Sequence, residues 1–235
     1  CDCLIVGGGP AGAALAWLLA GDSRVVLVEA GRARHSGPFE SLLPNALRAL
    51  DANGLGDVVR GAATSDELRH GAIWGSDELG WRRPDTNERG LGLRRGAFDA
   101  ALRHAAAARG ATVVEPARLV GELASAIERG ITIVPARDAA RVVRPRCVVV
   151  ATGRRSACAP VPTRTIDEGP RTLALTFVGP PHEHDRDTAV VEAAADGWTW
   201  FQSPAGSAST VAVLLDADDA DPVGVRARRL LATCR

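Results

Sequence analysis

The chain has 235 residues, of which 46% are hydrophobic and 24% charged, which is typical of a globular protein with a sizeable core. Its 28 basic and 28 acidic residues balance, so charge gives no support for binding to nucleic acid or to an anionic membrane. All the basic residues are arginines, and the absence of lysine, tyrosine and methionine excludes catalytic roles for these three residue types in this chain.

The cysteines predict a reducing environment. There are five of them, an odd number without the spacing of a disulfide framework, so we expect a cytoplasmic protein with mostly inert thiols. The longest apolar stretch, residues 11–20, is too short to span a bilayer and has no cationic segment before it. We therefore expect neither an integral membrane segment nor a signal peptide.

Residues 3–29 predict a strand, a glycine-rich turn, a helix and a second strand that ends in an acid. Gly7 allows a sharp exit from the strand, Gly9 lets a pyrophosphate approach bare backbone, and Gly12 lets the helix pack closely. The helix N-terminus offers N–H groups to phosphates. Glu29, about 20 residues further on, can accept both hydroxyls of a ribose. An ordinary βα turn without a ligand is the alternative, but this complete arrangement favours a dinucleotide site.

The rest of the chain alternates helices and strands and then becomes strand-rich. Periodicity predicts two further helices in the first half, at 44–50 and 97–109. Strands are expected within 67–89 and at 112–114, 131–134, 140–143, 147–150, 173–178, 189–193, 198–202 and 210–215, with a last helix capped by Asp221-Pro222. The predicted fold class is α/β, with a Rossmann-like domain and a second, mostly antiparallel sheet.

Three separated motifs resemble one flavoprotein family. They are G-G-G-P-A-G at 7–12, R-G-A-F-D at 95–99 and A-T-G at 151–153. Together they resemble the family of para-hydroxybenzoate hydroxylase-like monooxygenases, geranylgeranyl reductases and flavin-dependent halogenases. The resemblance implies a glutathione reductase type FAD-binding domain. Thr152 stands where aspartate is usual, as on the reductase and halogenase-like side of the family.

The resemblance implies a set of FAD-binding residues and an aromatic wall for the substrate. Arg95 would reach the FAD phosphates or ribose, and F-E-S-L-L-P at 39–44 would run beside the isoalloxazine. The cofactor set is Gly7, Gly9, Pro10, Ala11, Gly12, Glu29, Ala30, Arg34, Glu40, Ser41, Arg95, Leu119, Thr152 and Gly153. The substrate set is Trp74, Trp198 and Trp200. Each set has a structural alternative: a surface arginine, a strand-end turn, and tryptophans that pack on one face of a sheet.

The predicted domains are discontinuous. We assign 1–68 and 91–160 to the FAD-binding domain and 69–90 and 161–235 to the substrate domain. The last FAD motif of the family, a G-D segment, is not found before residue 235, so we expect the C-terminal part of the family fold to be missing. The segment H-E-H-D at 182–185 reads as a solvated turn, and no metal site is predicted.

The resemblance implies an FAD-dependent oxidoreductase. Halogenases of this kind use an active-site lysine, which this chain lacks. The predicted activity is hydroxylation of an aromatic substrate, such as an indole or a tryptophan, free or in a peptide, through a flavin C4a-hydroperoxide. NAD(P)H or a separate flavin reductase is the expected electron donor, and catalytic side chains stay unassigned. The alternatives are a flavin-dependent reductase of isolated double bonds and a non-catalytic nucleotide-binding module.

Overall fold

The computed structural model describes residues 1–31, 39–81, 89–153, 171–180, 187–204, 208–217 and 221–234. The strands are β1 (Cys3–Val6), β2 (Val25–Val28), β3 (Phe39–Leu42), β4 (Ala63–Ile73), β5 (Gly80–Trp81), β6 (Gly90–Arg94), β7 (Thr112–Val114), β8 (Ala117–Val120), β9 (Ile131–Pro135), β10 (Arg141–Val143), β11 (Cys147–Val150), β12 (Thr172–Gly179), β13 (Thr188–Ala194), β14 (Gly197–Ser203) and β15 (Ser209–Asp216). The helices are α1 (Pro10–Ala20), α2 (Pro44–Ala52), α3 (Gly56–Gly61), α4 (Arg95–Ala108), α5 (Ala126–Arg129) and α6 (Val223–Thr233).

The chain divides into two compact units, both discontinuous in sequence. Unit 1 comprises residues 1–36, 53–59 and 96–165, and unit 2 comprises 37–52, 60–95 and 166–235. The predicted domain boundaries differ from this division, because residues 37–52, 60–68 and 91–95 belong to unit 2. The physical reason is strand pairing: β3 and β4 both pair with β6. These pairings join distant parts of the chain, so no local sequence pattern predicts them.

Unit 1 contains the predicted parallel sheet, in the order β11-β1-β2-β7. Every residue of β1 and β2 is buried, as expected for parallel strands covered on both faces. The four consecutive apolar or small residues of β11 predict a fully buried strand, and this prediction is wrong. It is partly exposed because it stands at one end of the sheet order in the described part of the chain.

A three-stranded antiparallel sheet, ordered β10-β9-β8, covers the parallel sheet of unit 1. The strands predicted at 131–134 and 140–143 are confirmed and pair with each other, and β8 is an additional member that the sequence did not reveal. An apolar cluster joins the two sheets, with Leu4, Val26, Ile131 and Ile133 among its buried members. This packing fixes the strands that carry the glycine-rich turn.

The Cys3 thiol of unit 1 fits the expected inert character. Cys3 and Cys147 are in register on neighbouring parallel strands, and burial raises the pKa of the Cys3 thiol. A buried thiol with a raised pKa holds its proton and is a poor nucleophile. The cysteines in the described ranges are free.

Unit 2 is built on an eight-stranded sheet, ordered β12-β15-β14-β13-β4-β6-β3, with β5 paired to β4. It is mostly antiparallel, as predicted, but β4 and β13 run parallel. Helix α6 packs against β14 and β15, and Leu215 and Leu230 are buried in the core between them. The predicted Asp221 cap is wrong, because Pro222 occupies the cap position and Asp221 pairs with Arg229 at 3.1 Å.

Candidate functional site

The glycine-rich turn lies where β1 and β11 end side by side. Gly7 follows β1 with a φ of +109°, a conformation that glycine adopts without strain. A Cβ at this position would overlap the carbonyl oxygen of Ala151, which follows β11. Neighbouring strands β2 and β11 lie on opposite sides of β1, so the turn stands at a switch point of the sheet, where α/β folds bind ligands.

Helix α1 presents an uncapped N-terminus at this turn. Gly9 is the N-cap residue and makes no side-chain capping hydrogen bond, and Pro10 occupies the first turn. The first turn also has no acidic residue. A Cβ at Gly12 would overlap the carbonyl oxygen of Gly7, so glycine is required for the close packing of helix on strand. N–H groups at a helix start without a capping side chain are suited to a phosphate.

Glu29, directly after β2, is tied to the turn by its carboxylate. The Gly8 N–H donates to Oε2 at 2.5 Å, and the Gly31 N–H donates to Oε1 at 3.2 Å. A carboxylate has about four acceptor positions, so lone pairs remain on both oxygens. The geometry therefore leaves Glu29 able to accept ribose hydroxyls while it holds the turn.

Thr152 and Gly153 follow β11 on the other side of the turn. The Thr152 Oγ1 is buried and has no hydrogen-bond partner in the described part of the chain. Buried hydroxyls are normally paired, so this atom fits a ligand that brings a hydrogen-bonding group. Gly153 has a φ of +72° and open space around its Cα, so its glycine is needed for conformation alone. Together with the turn and Glu29, these features fit the phosphates and ribose of a dinucleotide.

The other predicted cofactor residues lie in different surroundings from one another. Arg95 begins α4, and its Nη1 lies 3.1 Å from Oε2 of Glu40, so two residues predicted to approach FAD form an ion pair with each other. Leu119 lies in β8, where it packs against the apolar cluster of unit 1. Ala30 is exposed directly after Glu29. Arg34 lies outside the described residues.

Unit 2 holds a cavity of about 610 Å³ on one face of its sheet. Its lining includes Ser41 and Leu43 from the β3 side, His70 from β4 and Trp200 from β14, with small residues between them; the full lining is Ser41, Leu43, His70, Gly71, Ala72, Gly80, Trp81, Ala189, Val191 and Trp200. Ser41, predicted to contact the cofactor, and Trp200, predicted to contact the substrate, thus line the same cavity. Its volume and mostly apolar lining are those of a small-molecule site.

The other two predicted substrate residues lie beside each other rather than in this lining. The ring centroids of Trp74 and Trp198 are 6.5 Å apart at an interplanar angle of 60°. Trp198 and Trp200 share one face of β14, because side chains two residues apart point the same way. Trp74 and Trp198 therefore extend this apolar face of the sheet beyond the cavity lining, which includes Trp200.

Sequence reasoning missed two residues that contact the turn directly or indirectly. Arg103 is buried in α4, and its Nη1 donates to the carbonyl oxygen of Gly8 at 3.0 Å. Its Nε donates to Oε2 of Glu115 at 2.7 Å. An arginine in a helix resembles a surface residue, so only its position beside the buried stripe of Phe98 and Leu102 could have signalled this role.

The described ranges hold no group of three or more His, Cys, Asp or Glu side chains that could bind a metal ion, and residues 182–185 lie outside them. None of the described helices is long and apolar enough to cross a bilayer.

A parallel sheet with this turn, an acid at the end of β2 and an uncapped helix define a dinucleotide-binding domain of the flavoprotein type. Residues 1–216 match the family described as FAD binding domain, and the chain belongs to that family. The family match therefore supports FAD as the cofactor. No curated protein matches the chain.

Solved structures of flavoproteins share this fold. The peptidyl tryptophan dihydroxylase QhpG, essential for tryptophylquinone cofactor biogenesis, is 26% identical, with a TM-score of 0.70 and with 98% of this chain and 49% of that one covered. The myxobacterial chondrochloren halogenase CndH is 22% identical, with a TM-score of 0.72 and coverages of 92% and 53%. A geranylgeranyl bacteriochlorophyll reductase-like protein from Thermoplasma acidophilum is 19% identical, with a TM-score of 0.77 and coverages of 98% and 61%. The chain thus spans about half to three fifths of the length of these proteins.

Proposed function

We propose that the protein is an FAD-dependent monooxygenase that hydroxylates an aromatic substrate, an indole or a tryptophan, either free or in a peptide. The observation that carries this proposal is the cavity of unit 2, where Trp200 and the buried Ser41 hydroxyl line one space. The likeness to a peptidyl tryptophan dihydroxylase at 26% identity supports the same substrate class. NAD(P)H or a separate flavin reductase would supply the electrons, in the cytoplasm.

FAD, when bound and reduced, would supply the oxygen activation that hydroxylation of the ring needs. In unit 1, Glu29 would hold the adenosine ribose, and the N–H groups at the start of α1 would hold the phosphates. Thr152 would donate a hydrogen bond to the cofactor from its buried hydroxyl. The chain's contribution is to bind, to orient and to exclude water.

The cavity face of the sheet is ordered in rows across the strands. His70, Ala189 and Gln202 are in register in one row, and Ala72, Val191 and Trp200 are in register in the next. The first row is polar at both ends and the second is apolar, so a bound ring would lie on the second row. Its N–H or O–H group would then point toward the first row, where His70 also lines the cavity.

Ser41 supplies a further polar contact. Its Oγ is buried with no hydrogen-bond partner among the described residues, and it belongs to the same cavity lining as His70. Leaving a buried hydroxyl unpaired costs about 1–3 kcal/mol. An indole N–H that donates to this oxygen would remove that cost. Purely aliphatic substrates could not make this contact, which favours an aromatic ring with a polar hydrogen.

A reductase of isolated double bonds is the second candidate. The mostly apolar lining of the cavity and the fold shared with a geranylgeranyl bacteriochlorophyll reductase-like protein support it. The two activities differ in their use of oxygen, because a reductase turns over without it. The third candidate, a nucleotide-binding module without flavin chemistry, differs from both in forming no product.

Reduction of the FAD-loaded protein under nitrogen, followed by oxygen and indole, tryptophan or a tryptophan-containing peptide, tests the proposal. We expect a product heavier by one or two oxygen atoms in the mass spectrum, with oxygen consumed in proportion. Product formed without oxygen from a substrate with an isolated double bond would establish the reductase instead. No product from any substrate, with FAD bound, would leave only the binding module.

A matched pair of variants tests the role of the cavity. Trp200→Ala removes an aromatic side chain from the cavity lining. Trp198→Ala is the matched control, because Trp198 lies on the same strand face but packs with Trp74. We expect the first change to lower product formation at least about tenfold, through loss of an aromatic contact, and the second to lower it much less. Equal effects would contradict the assignment of this cavity to the substrate.

A further inference from the structure

Arg103 is a buried arginine that the cofactor site described above does not explain. Only 7% of its surface is exposed, although it lies on a helix of which the neighbouring position, His104, is open to solvent. Removing a guanidinium from water is costly unless its N–H groups are paired. In this chain they are paired with the carbonyl oxygen of Gly8 and with the carboxylate of Glu115.

The Gly8 backbone is consequently held from two sides. Its N–H donates to Oε2 of Glu29, and its carbonyl oxygen accepts from Nη1 of Arg103. That carbonyl belongs to the peptide group between Gly8 and Gly9. In a planar trans peptide the C=O and the N–H point in opposite directions. The hydrogen bond from Arg103 therefore fixes the Gly9 N–H so that it points away from the guanidinium.

We propose that Arg103 is a positioning residue for the dinucleotide and that it acts through the Gly8–Gly9 peptide. Its charge-assisted hydrogen bond keeps the Gly9 N–H directed toward the pyrophosphate, and Glu115 orients and neutralises the guanidinium. Arg103 does not contact the ligand. The proposal rests on the FAD site set out above, and it concerns the ADP part of the cofactor only.

The position of Arg103 also explains why residue 8 is a glycine. In G-x-G-x-x-G the second position is unrestricted, but here it is Gly8. A Cβ at Gly8 would lie 2.8 Å from Cδ of Arg103 and 2.9 Å from Cβ of Glu29. Both distances are shorter than ordinary contacts. Because the guanidinium is fixed at two hydrogen bonds, the arginine stem has little freedom to move away.

Ligand titrations of the full chain test the proposal. Arg103→Met removes both hydrogen bonds while keeping an apolar stem. Arg109→Met is the control directly after the same helix, where the guanidinium stacks 4.5 Å from the ring centroid of Trp17. We expect Arg103→Met to weaken binding of FAD and of ADP by about tenfold or more, as loss of a charged hydrogen bond predicts. Arg109→Met should leave both dissociation constants within about twofold.

A purely structural role would give a different result. In that case the Arg103→Met protein would melt at a lower temperature and still bind ADP with the affinity of the wild type, and the proposal would be overturned. If Arg103→Met does not fold, Glu115→Gln is the second variant, because it loosens the guanidinium without removing it. A smaller loss of ADP affinity in the folded Glu115→Gln protein is expected, and an unchanged affinity would refute the proposal. A wild-type chain that binds neither FAD nor ADP would refute the cofactor site itself.

A double-mutant cycle tests the close approach at Gly8. Gly8→Ala should weaken ADP binding on its own, and it should weaken it less in a chain that already carries Arg103→Ala, because the crowded arginine stem is then gone and only the close approach to Glu29 remains. Additive effects of the two changes would show that Gly8 and Arg103 act independently.

Discussion

Changing Glu29 to glutamine should damage both the empty protein and its binding of FAD. The carboxylate accepts one backbone N–H on each oxygen, from Gly8 at 2.5 Å and from Gly31 at 3.2 Å. Glutamine offers one oxygen and one NH₂ group, so one of the two N–H groups would face a donor. We expect the oxygen to turn toward Gly8, where the bond is shorter. The Gly31 N–H would then be left unpaired.

The size of the effect follows from these bonds. An unpaired, partly buried donor costs about 1–3 kcal/mol, and each kcal/mol lowers the melting temperature of a chain of this size by about 2–4 °C. Losing charged hydrogen bonds to the ribose should weaken FAD binding by about tenfold to a hundredfold. Thermal melting and titration with FAD measure the two effects, and Glu122→Gln on the surface is the control. An unchanged FAD affinity in Glu29→Gln would refute the ribose role, even if the melting temperature fell.

Three further changes have defined outcomes. Gly12→Ala should abolish measurable FAD binding, because its methyl group would overlap the Gly7 carbonyl oxygen, and retention of wild-type affinity in a titration would contradict this packing. Hydrogen bonding from Arg24 lowers the pKa of Asp2 to about 2 from 3.8, so its stabilising effect is present above pH 4 and is lost as the pH falls toward 2. Melting temperatures across this range should therefore fall more steeply for the wild type than for Asp2→Asn, and parallel curves would exclude the effect. Leu230→Ala, at a position 1% exposed, should cost about 2–5 kcal/mol in denaturant unfolding, and a cost below about 1 kcal/mol would show that α6 is not held by this contact.

The dinucleotide turn could be predicted because its requirements are local. Gly7 and Gly12 each have a conformation or an approach that excludes a side chain, and their spacing is visible in the sequence. The strands and helices around them follow from hydrophobic periodicity, and the long helix expected at 97–109 is α4. Family membership followed from three such local motifs together.

What the sequence could not reveal depends on contacts between distant residues. Arg103 contacts Gly8 across 95 positions, and no local pattern marks a buried arginine. The assignment of β3 and β6 to unit 2 rests on their antiparallel pairing, which places Phe39 opposite Arg94. The sequence also does not show which residues of a strand lie beside the cavity. Trp198 and Trp200 are therefore equivalent in the sequence pattern, although of the two only Trp200 lines the cavity.

The alternation of faces along the strands of unit 2 has a practical consequence for directed evolution. Ala189, Val191 and Trp200 line the cavity, whereas the intervening Glu192 and Thr199 are buried on the opposite face, where the Thr199 hydroxyl lies 3.5 Å from the thiol of Cys234 in the segment after α6. A codon library confined to the first set would change the size and polarity of the pocket while leaving the buried polar residues of the opposite face unchanged. A library spread over consecutive codons would also change these buried residues, and such changes usually lower the stability of the fold.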